Sequence, residues 1–285
     1  MSPEEHKARF EELLLAHVVA LSEYTDLPDG QWAVKGFIDA FKKVYTISSD
    51  TKIVSKILEI HLFPELMRFA EESRFRIVLA DHQNYYPDIS FVSDDDPSIK
   101  FAVDLKSTYR LPDKPGYCNG FTLGSHGAYF VDRTSTKNIQ FPYSSYTAHY
   151  CLGVVYDRGR RADLDETRVF DVEDLAAIPS VISNLQFFLV EKWRIASDKS
   201  GSGNTANIGS INHIDELIAG RGMFSRLGED VFDDYWMNYG KITVPEADGS
   251  TRTIRDLESF LVYRNNDPSL IVHKHGSRKR GRGAE

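Results

Sequence analysis

The first apolar residues of the chain recur at helical spacing: Phe10, Leu14, Val18 and Leu21 fall on one face of a helix running towards Tyr24. Ser2-Pro3-Glu4-Glu5 ahead of them is a capping box with proline at the first helical position, so this pattern carries its own start signal. Asp26 to Gly30 reads as a turn. A second helix is predicted from Ser49-Asp50, with Ile53, Ile57, Ile60 and Leu66 as its apolar stripe and Pro64 kinking it or ending its first half. From Arg76 the period shortens to two. Arg76 to Leu79, Asp88 to Val92 and Lys100 to Lys106 are predicted strands, the last two joined by the polar loop Ser93-Asp94-Asp95-Asp96-Pro97-Ser98. Further strands are predicted at Leu152 to Tyr156 and Leu185 to Ile195. The stretch Ser197 to Ser210, rich in glycine, serine and asparagine, reads as a loop before a helix through Ile214 to Ile218. No internal repeat and no long linker divides the series, so the prediction is one mixed α/β domain over residues 1–272.

The 285 residues, 41% hydrophobic and 27% charged, have the composition of a globular protein, which excludes wholesale disorder and fibrous repeats. The longest apolar run, Leu13 to Leu21, is broken by His17 and follows Glu11 and Glu12. It is too short for a membrane span and wrongly flanked for a signal peptide. The two cysteines, Cys118 and Cys151, form no metal-binding pair and no disulfide scaffold, so a reducing, cytoplasmic setting is expected. The net charge of −8 is uneven: residues 273–285 hold five basic residues against one acid, leaving −12 on the body. An acidic body argues against a protein that coats nucleic acid through phosphate neutralisation, yet fits a nuclease that gathers carboxylates around a cation. The basic tail is expected to be a solvated, disordered end.

The chemistry concentrates in the hairpin from Asp88 to Lys106. If its loop centres on Asp96, Val92 faces Lys100 and Asp88 faces Asp104, close enough for both carboxylates to share one ligand. Ala102, Asp104 and Lys106 then point to one face of the strand, with Phe101, Val103 and Leu105 on the other. Two opposed acids repel, and a hard divalent cation such as Mg²⁺ is the natural remedy; with a lysine beside it, this is equipment for metal-assisted phosphodiester hydrolysis. The plain alternative is an Asp104–Lys106 surface salt bridge with Asp88 as a strand cap. On the second helix, Lys52, Ser55, Lys56 and Glu59 form a polar stripe, either a solvated face or a source of a third carboxylate and a phosphate-binding lysine. Ser200-Gly201-Ser202-Gly203-Asn204-Thr205 is either a flexible linker or a loop that brings backbone, an asparagine amide and a threonine methyl against base edges.

Tyr86-Pro87-Asp88, fifteen residues, then Asp104-Leu105-Lys106 resembles the PD-(D/E)XK nuclease motif. Its company sharpens the likeness: Ser49-Asp50-Thr51-Lys52 with Glu59, Gln83-Asn84-Tyr85-Tyr86, Phe121-Thr122-Leu123-Gly124, Thr136-Lys137-Asn138-Ile139 and the run Ala196 to Ser210. Together, from roughly Ser49 to Tyr239, these are similar to type II restriction endonucleases. The resemblance implies a restriction-endonuclease-like α/β fold, a central mixed β-sheet flanked by helices. It implies Asp88, Asp104 and Lys106 as the catalytic trio, with Mg²⁺ held by the aspartates and Glu59 as auxiliary metal ligand. Gln83 and Asn84 match a minor-groove loop. Gly201, Ser202, Gly203, Asn204 and Thr205, with Asn207, match the loop that reads bases in the major groove. Lys52, Ser55, Ser107, Thr108 and Lys137 are further implied DNA contacts.

The implied target is double-stranded DNA at the palindrome GATATC, cut centrally to blunt ends, whose TA step kinks easily. A palindrome implies a homodimer, with residues 32–45 and 170–179 supplying part of the interface. The chain departs from the pattern at Ser107, where threonine is expected, in a longer Gly124 to Lys137 stretch, and at Met237 in place of a basic residue. The first helix and the tail have no counterpart in it. A repair or structure-specific nuclease of the same superfamily, and a DNA-binding protein that recognises without cleaving, are the competing readings.

Overall fold

In the computed structural model, which describes residues 2–82, 84–159, 165–201 and 206–272, the capping box closes as the sequence predicts. The Ser2 backbone N–H donates to the Glu5 carboxylate at 2.6 Å, the Glu5 N–H to Ser2 Oγ at 3.3 Å, and helix α1 runs Pro3–Thr25. Two short strands follow, β1 (Gly36–Ile38) and β2 (Lys43–Thr46), then helix α2 (Thr51–Glu72). The strands of the main sheet and its insertions are β3 (Phe75–Leu79), β4 (Ile89–Ser93), β5 (Lys100–Tyr109), β6 (Thr122–Ser125), β7 (Ala148–Arg158), β8 (Val169–Asp171) and β9 (Ile182–Glu191). β10 (Ala196–Ser200), β11 (Asn207–Ser210), helices α3 (Ile214–Ile218) and α4 (Glu229–Asn238), the hairpin β12 (Thr243–Pro245) and β13 (Thr251–Thr253), and helix α5 (Leu257–Tyr263) complete the order.

The central sheet has the order β3-β4-β5-β7-β9, with β5 and β7 parallel and every other pair antiparallel. Its two faces bury different cores. Phe91, Phe101, Val103, Tyr150, Leu152 and Leu189 pack under α1 and the second half of α2. Phe10 of α1 lies flat on Phe101 with ring centroids 4.0 Å apart, one of several aromatic contacts that add to burial. The opposite face presents Ala102, Cys151, Val155, Phe188 and Val190 to a second core built on Phe224, Phe232, Trp236 and Leu257. A smaller sheet, β10-β11-β6, stands beside that second core.

Four expectations need correction, the one at Pro64 in part. The buried face of α2 is Val54, Ile57, Leu58, Leu62, Leu66, Phe69 and Ala70, whereas Ile53 and Ile60 are 40% and 61% exposed. The helix has apolar residues on several faces: of the expected stripe Ile57 and Leu66 are buried, while Val54, Leu58 and Leu62 take the covered places in preference to Ile53 and Ile60. Of the two outcomes expected at Pro64, an end to the helix does not occur: α2 continues to Glu72, with Pro64 and Ile60, whose carbonyl loses its partner, both on the exposed side where water can serve it. The strand predicted to reach Ile195 stops at Glu191, because Lys192–Ile195 tightens into a 3₁₀ turn that swings the chain into β10. The stretch read as a loop is accordingly strand at both ends, β10 and β11. The basic tail lies outside the described residues.

Candidate active site

The hairpin register is the one that a loop centred on Asp96 requires. Ile89 pairs with Val103, Ser90 with Ala102, Phe91 with Phe101 and Val92 with Lys100. Asp88, one residue before β4, therefore comes opposite Asp104. Its carboxylate accepts a hydrogen bond from the Leu105 backbone at 2.8 Å, and its own N–H approaches Asp104 Oδ1 at 3.4 Å. Lys106 reaches back along β5 to both acids, with Nζ 2.6 Å from Asp104 Oδ2 and 3.7 Å from Asp88 Oδ2. The three groups do converge, on the sheet face that carries Ala102.

Their electrostatics are those of a crowded pair. Burial, and after it the facing Asp104 carboxylate, push Asp88 up to about 7. Burial also works against the charge on Asp104, but the Lys106 ammonium in contact with it prevails and holds its carboxyl below the ordinary range. Lys106 is itself opposed by burial, and Asp104 followed by Asp88 keep it above the usual lysine value. Two opposed carboxylates, one of them reluctant to ionise beside the other, form a hard-oxygen donor set that a cation would favour. Among the described residues no third acid or histidine joins them in a ready-made metal cluster.

Glu59 lies nearby without touching the pair. It lines a small cavity with Ser55, Lys106 and Ser107 between α2 and the sheet, while its carboxylate accepts from Lys56 Nζ at 2.7 Å. Asp50 caps α2, accepting from the Lys52 N–H at 2.9 Å, which leaves the Lys52 side chain exposed at the helix start. Ser107 is half-buried on the opposite sheet face from Asp104. Thr108 is buried, donating its hydroxyl to the Asn119 carbonyl, and so is held inside the chain's own packing. Asn84 and Lys137 are exposed. Gln83, Ser202, Gly203, Asn204 and Thr205 lie outside the described residues. The stems of that loop are fixed: the Gly201 N–H donates to the Asn207 carbonyl at 2.9 Å, and Asn207 pairs with Ser125 of β6.

Sequence reasoning missed the surroundings of the acids. Tyr86, just before Pro87-Asp88, stacks with Tyr129 (5.5 Å) and Tyr143 (6.1 Å) and bonds His149 through its hydroxyl at 3.0 Å. Lys192 is buried above the Tyr86 ring, 4.7 Å from its centroid. The one available signal was a charged Glu191-Lys192 pair inside the apolar run Phe187 to Trp193, which alternation alone reads as a strand end.

The profile of the restriction endonuclease EcoRV family matches residues 28–265, and the chain is 38% identical over 212 residues to the type II restriction enzyme EcoRV of Escherichia coli, covering 73% of this chain and 83% of that one. The chain belongs to the EcoRV family of restriction endonucleases. It is thus a type II site-specific deoxyribonuclease, which hydrolyses phosphodiester bonds in DNA. Of the competing readings, membership of the EcoRV family disfavours both the non-cleaving binder and the repair nuclease. The match begins at residue 28, so α1 precedes the matched region yet seals one face of the central sheet. No helix among the described residues is long and apolar enough to cross a membrane.

Proposed function

We propose that this enzyme is a Mg²⁺-dependent homodimer that recognises GATATC and cuts it centrally, leaving blunt ends. The observation that carries the metal reading is the Asp88–Asp104 pair, two opposed hard-oxygen donors of which one is pushed up to about 7. Asp88 and Asp104 would hold Mg²⁺, with Glu59 as an auxiliary acid once it releases Lys56. When bound, such an ion supplies Lewis acidity towards the phosphate and a more acidic water. Lys106, already at both carboxylates, is placed to follow negative charge as it builds on the phosphate, since its flexible stem lets the ammonium turn without leaving the site. Leu105 contributes through its backbone, whose N–H fixes the orientation of Asp88.

Recognition rests on the resemblance of Gly201 to Thr205 and Asn207 to a major-groove reading loop, with Gln83 and Asn84 on the minor-groove side. Dimerisation draws support from the sheet β1-β2-β8. There Phe37, Tyr45 and Val169 stand in register on one face and are 45–55% exposed, with Ile38 and Phe41 exposed beside them, whereas Trp32 and Phe170 of the same regions are spent on the chain's own core. The test is incubation of the purified protein with plasmid DNA of known sequence and Mg²⁺, followed by sequencing of the ends. Blunt GAT and ATC ends at every such site, with none in EDTA, are expected. A different terminal sequence overturns the specificity, and undiminished cutting in EDTA overturns the metal.

A further inference from the structure

One charge beside the paired aspartates has no task in the chemistry above. Lys192 opens the 3₁₀ turn after β9 and is 2% exposed. Its Nζ has no hydrogen-bond partner among the described residues. What surrounds it is aromatic: the ring of Tyr86 at 4.7 Å and those of Phe130 and Tyr143 at 5.4 Å each. Gly124, at φ +91°, passes so close that a β-carbon there would stand 3.6 Å from Nζ and 3.7 Å from the Tyr86 ring. The neighbouring charges are already matched, Arg133 with Asp233 at 2.6 Å and Glu191 with Lys7 at 2.6 Å. Among the described residues Lys192 alone in this group has no ion-pair partner.

Its location ties it to the acids. Asp104 pairs with Cys151 across β5 and β7, and Cys151 with Val190 of β9, two residues before Lys192. Tyr86, under the ammonium, is two residues before Asp88. Burial, and then repulsion from Arg133, bring Lys192 down to about 8, while Asp104 is the largest attraction that keeps its charge.

We propose that Lys192 is a positioning residue of the cleavage site: a fixed buried positive charge that acts through Asp104 and weakens the hold of the aspartate pair on a divalent cation. Lys106 can turn aside when a cation arrives, being partly exposed on a long stem. Lys192 is walled in by rings and backbone and cannot, so its repulsion of the cation persists in a medium that screens it poorly. A pair too weak to retain a cation unaided fills when a DNA phosphate adds its own oxygens, which ties assembly of the site to the presence of substrate. This inference rests on the metal reading above.

The experiment is calorimetric titration of Ca²⁺ into the full-length protein without DNA, at about pH 7, where a lysine of this kind is charged. Wild type, Asp104→Ala, Lys192→Met, Lys192→Gln and Lys192→Arg are compared. Loss of the buried charge is expected to tighten Ca²⁺ binding by about five-fold or more in both neutral variants, while Lys192→Arg stays within about two-fold of wild type. A merely structural role moves affinity the other way, because a disturbed site binds more weakly. Unchanged or weaker binding in folded Lys192→Met and Lys192→Gln overturns the proposal, and so does failure of both to fold, which would make the lysine a structural residue. If neither wild type nor the neutral variants bind Ca²⁺ even after duplex DNA carrying GATATC is added, the metal reading itself falls and this inference with it. If Asp104→Ala abolishes binding and the neutral variants show no tightening, only the inference falls.

Discussion

Gly153→Ala tests whether the floor of the active site is packed as described. Gly153 sits in β7 directly beside Lys106 in the parallel register, and Phe188 of β9 is its partner on the other side. The Phe188 ring folds across the glycine into the space a side chain would occupy. A β-carbon at position 153 would lie 2.0, 2.4 and 2.6 Å from three of its ring carbons. Ordinary carbon–carbon contact is about 3.5–4.0 Å, so the ring must retreat by roughly 1.5 Å. Phe188 is 3% exposed and has no solvent to retreat into. Forced overpacking of this kind costs about 1–3 kcal/mol, and full eviction of the ring approaches the ~3–5 kcal/mol of losing a buried phenylalanine. The usual gain of about 0.5–1 kcal/mol from replacing a strand glycine by alanine offsets only part of that. The expected net loss is therefore about 0.5–4 kcal/mol, read as a lower urea midpoint at unchanged slope. Adding Phe188→Leu to Gly153→Ala should recover part of it, since the shorter side chain vacates the contested space. Stability of Gly153→Ala equal to or above wild type would refute the packing, and with it the account of what backs Lys106.

Asp104→Ala is expected to keep specific DNA binding in Ca²⁺ or without metal and to lose cleavage in Mg²⁺ by at least about two orders of magnitude, measured by gel shift and plasmid nicking. Asn204→Ala, in the stretch proposed to read bases, should lose preference for the cognate site before it loses general DNA binding; an equal fall in both removes the readout role. Asp88, pushed up to about 7, holds its proton more tightly folded than unfolded. Its contribution to stability is present at low pH and disappears as pH rises through about 7, so the metal-free protein should lose melting temperature over that range and regain it on adding a divalent cation. Thermal melts across pH with Asp88→Asn as control check this: a pH slope unaffected by the substitution would show that other groups set it.

The parts of this fold that the sequence reveals are those fixed by short-range constraints. The capping box, the four α1 residues Phe10, Leu14, Val18 and Leu21, and the Asp88–Asp104 register all follow from patterns confined to fewer than twenty-five residues. The register was readable because a polar Asp-Asp-Asp-Pro turn leaves little freedom in where the hairpin folds over. The phase of α2 was not, since Ile53 and Ile60 are as apolar as Val54 and Leu58, and only the tertiary position of the sheet decides which pair is covered. The same reason hid the environment of the acids. Tyr86, Tyr129, Tyr143, His149 and Lys192 come from five separate segments, and no local period announces that they meet. Glu59 was legible as a candidate, but its preference for Lys56, three residues away on its own helix, is a contact that competes with the distant one the pattern suggested.

The acidic body raises a last question, how a chain with −12 outside its tail binds a polyanion. Charge spread over the surface acts weakly beyond about 8–10 Å at physiological salt, so the body's sum says little about the field at one buried point. At that point Asp88 and Asp104 are set against Lys106 and Lys192, two carboxylates against two ammoniums. A divalent cation added to a balanced group leaves a local surplus of two positive charges, in surroundings that screen poorly. A phosphodiester carries one negative charge and supplies oxygens to the same ion. On the proposed metal reading, the attraction that matters for cleavage thus comes into being only when cation and DNA are both present, and it owes nothing to the net charge of the chain. An enzyme built this way tolerates an acidic exterior, which in turn discourages it from lingering on DNA of the wrong sequence.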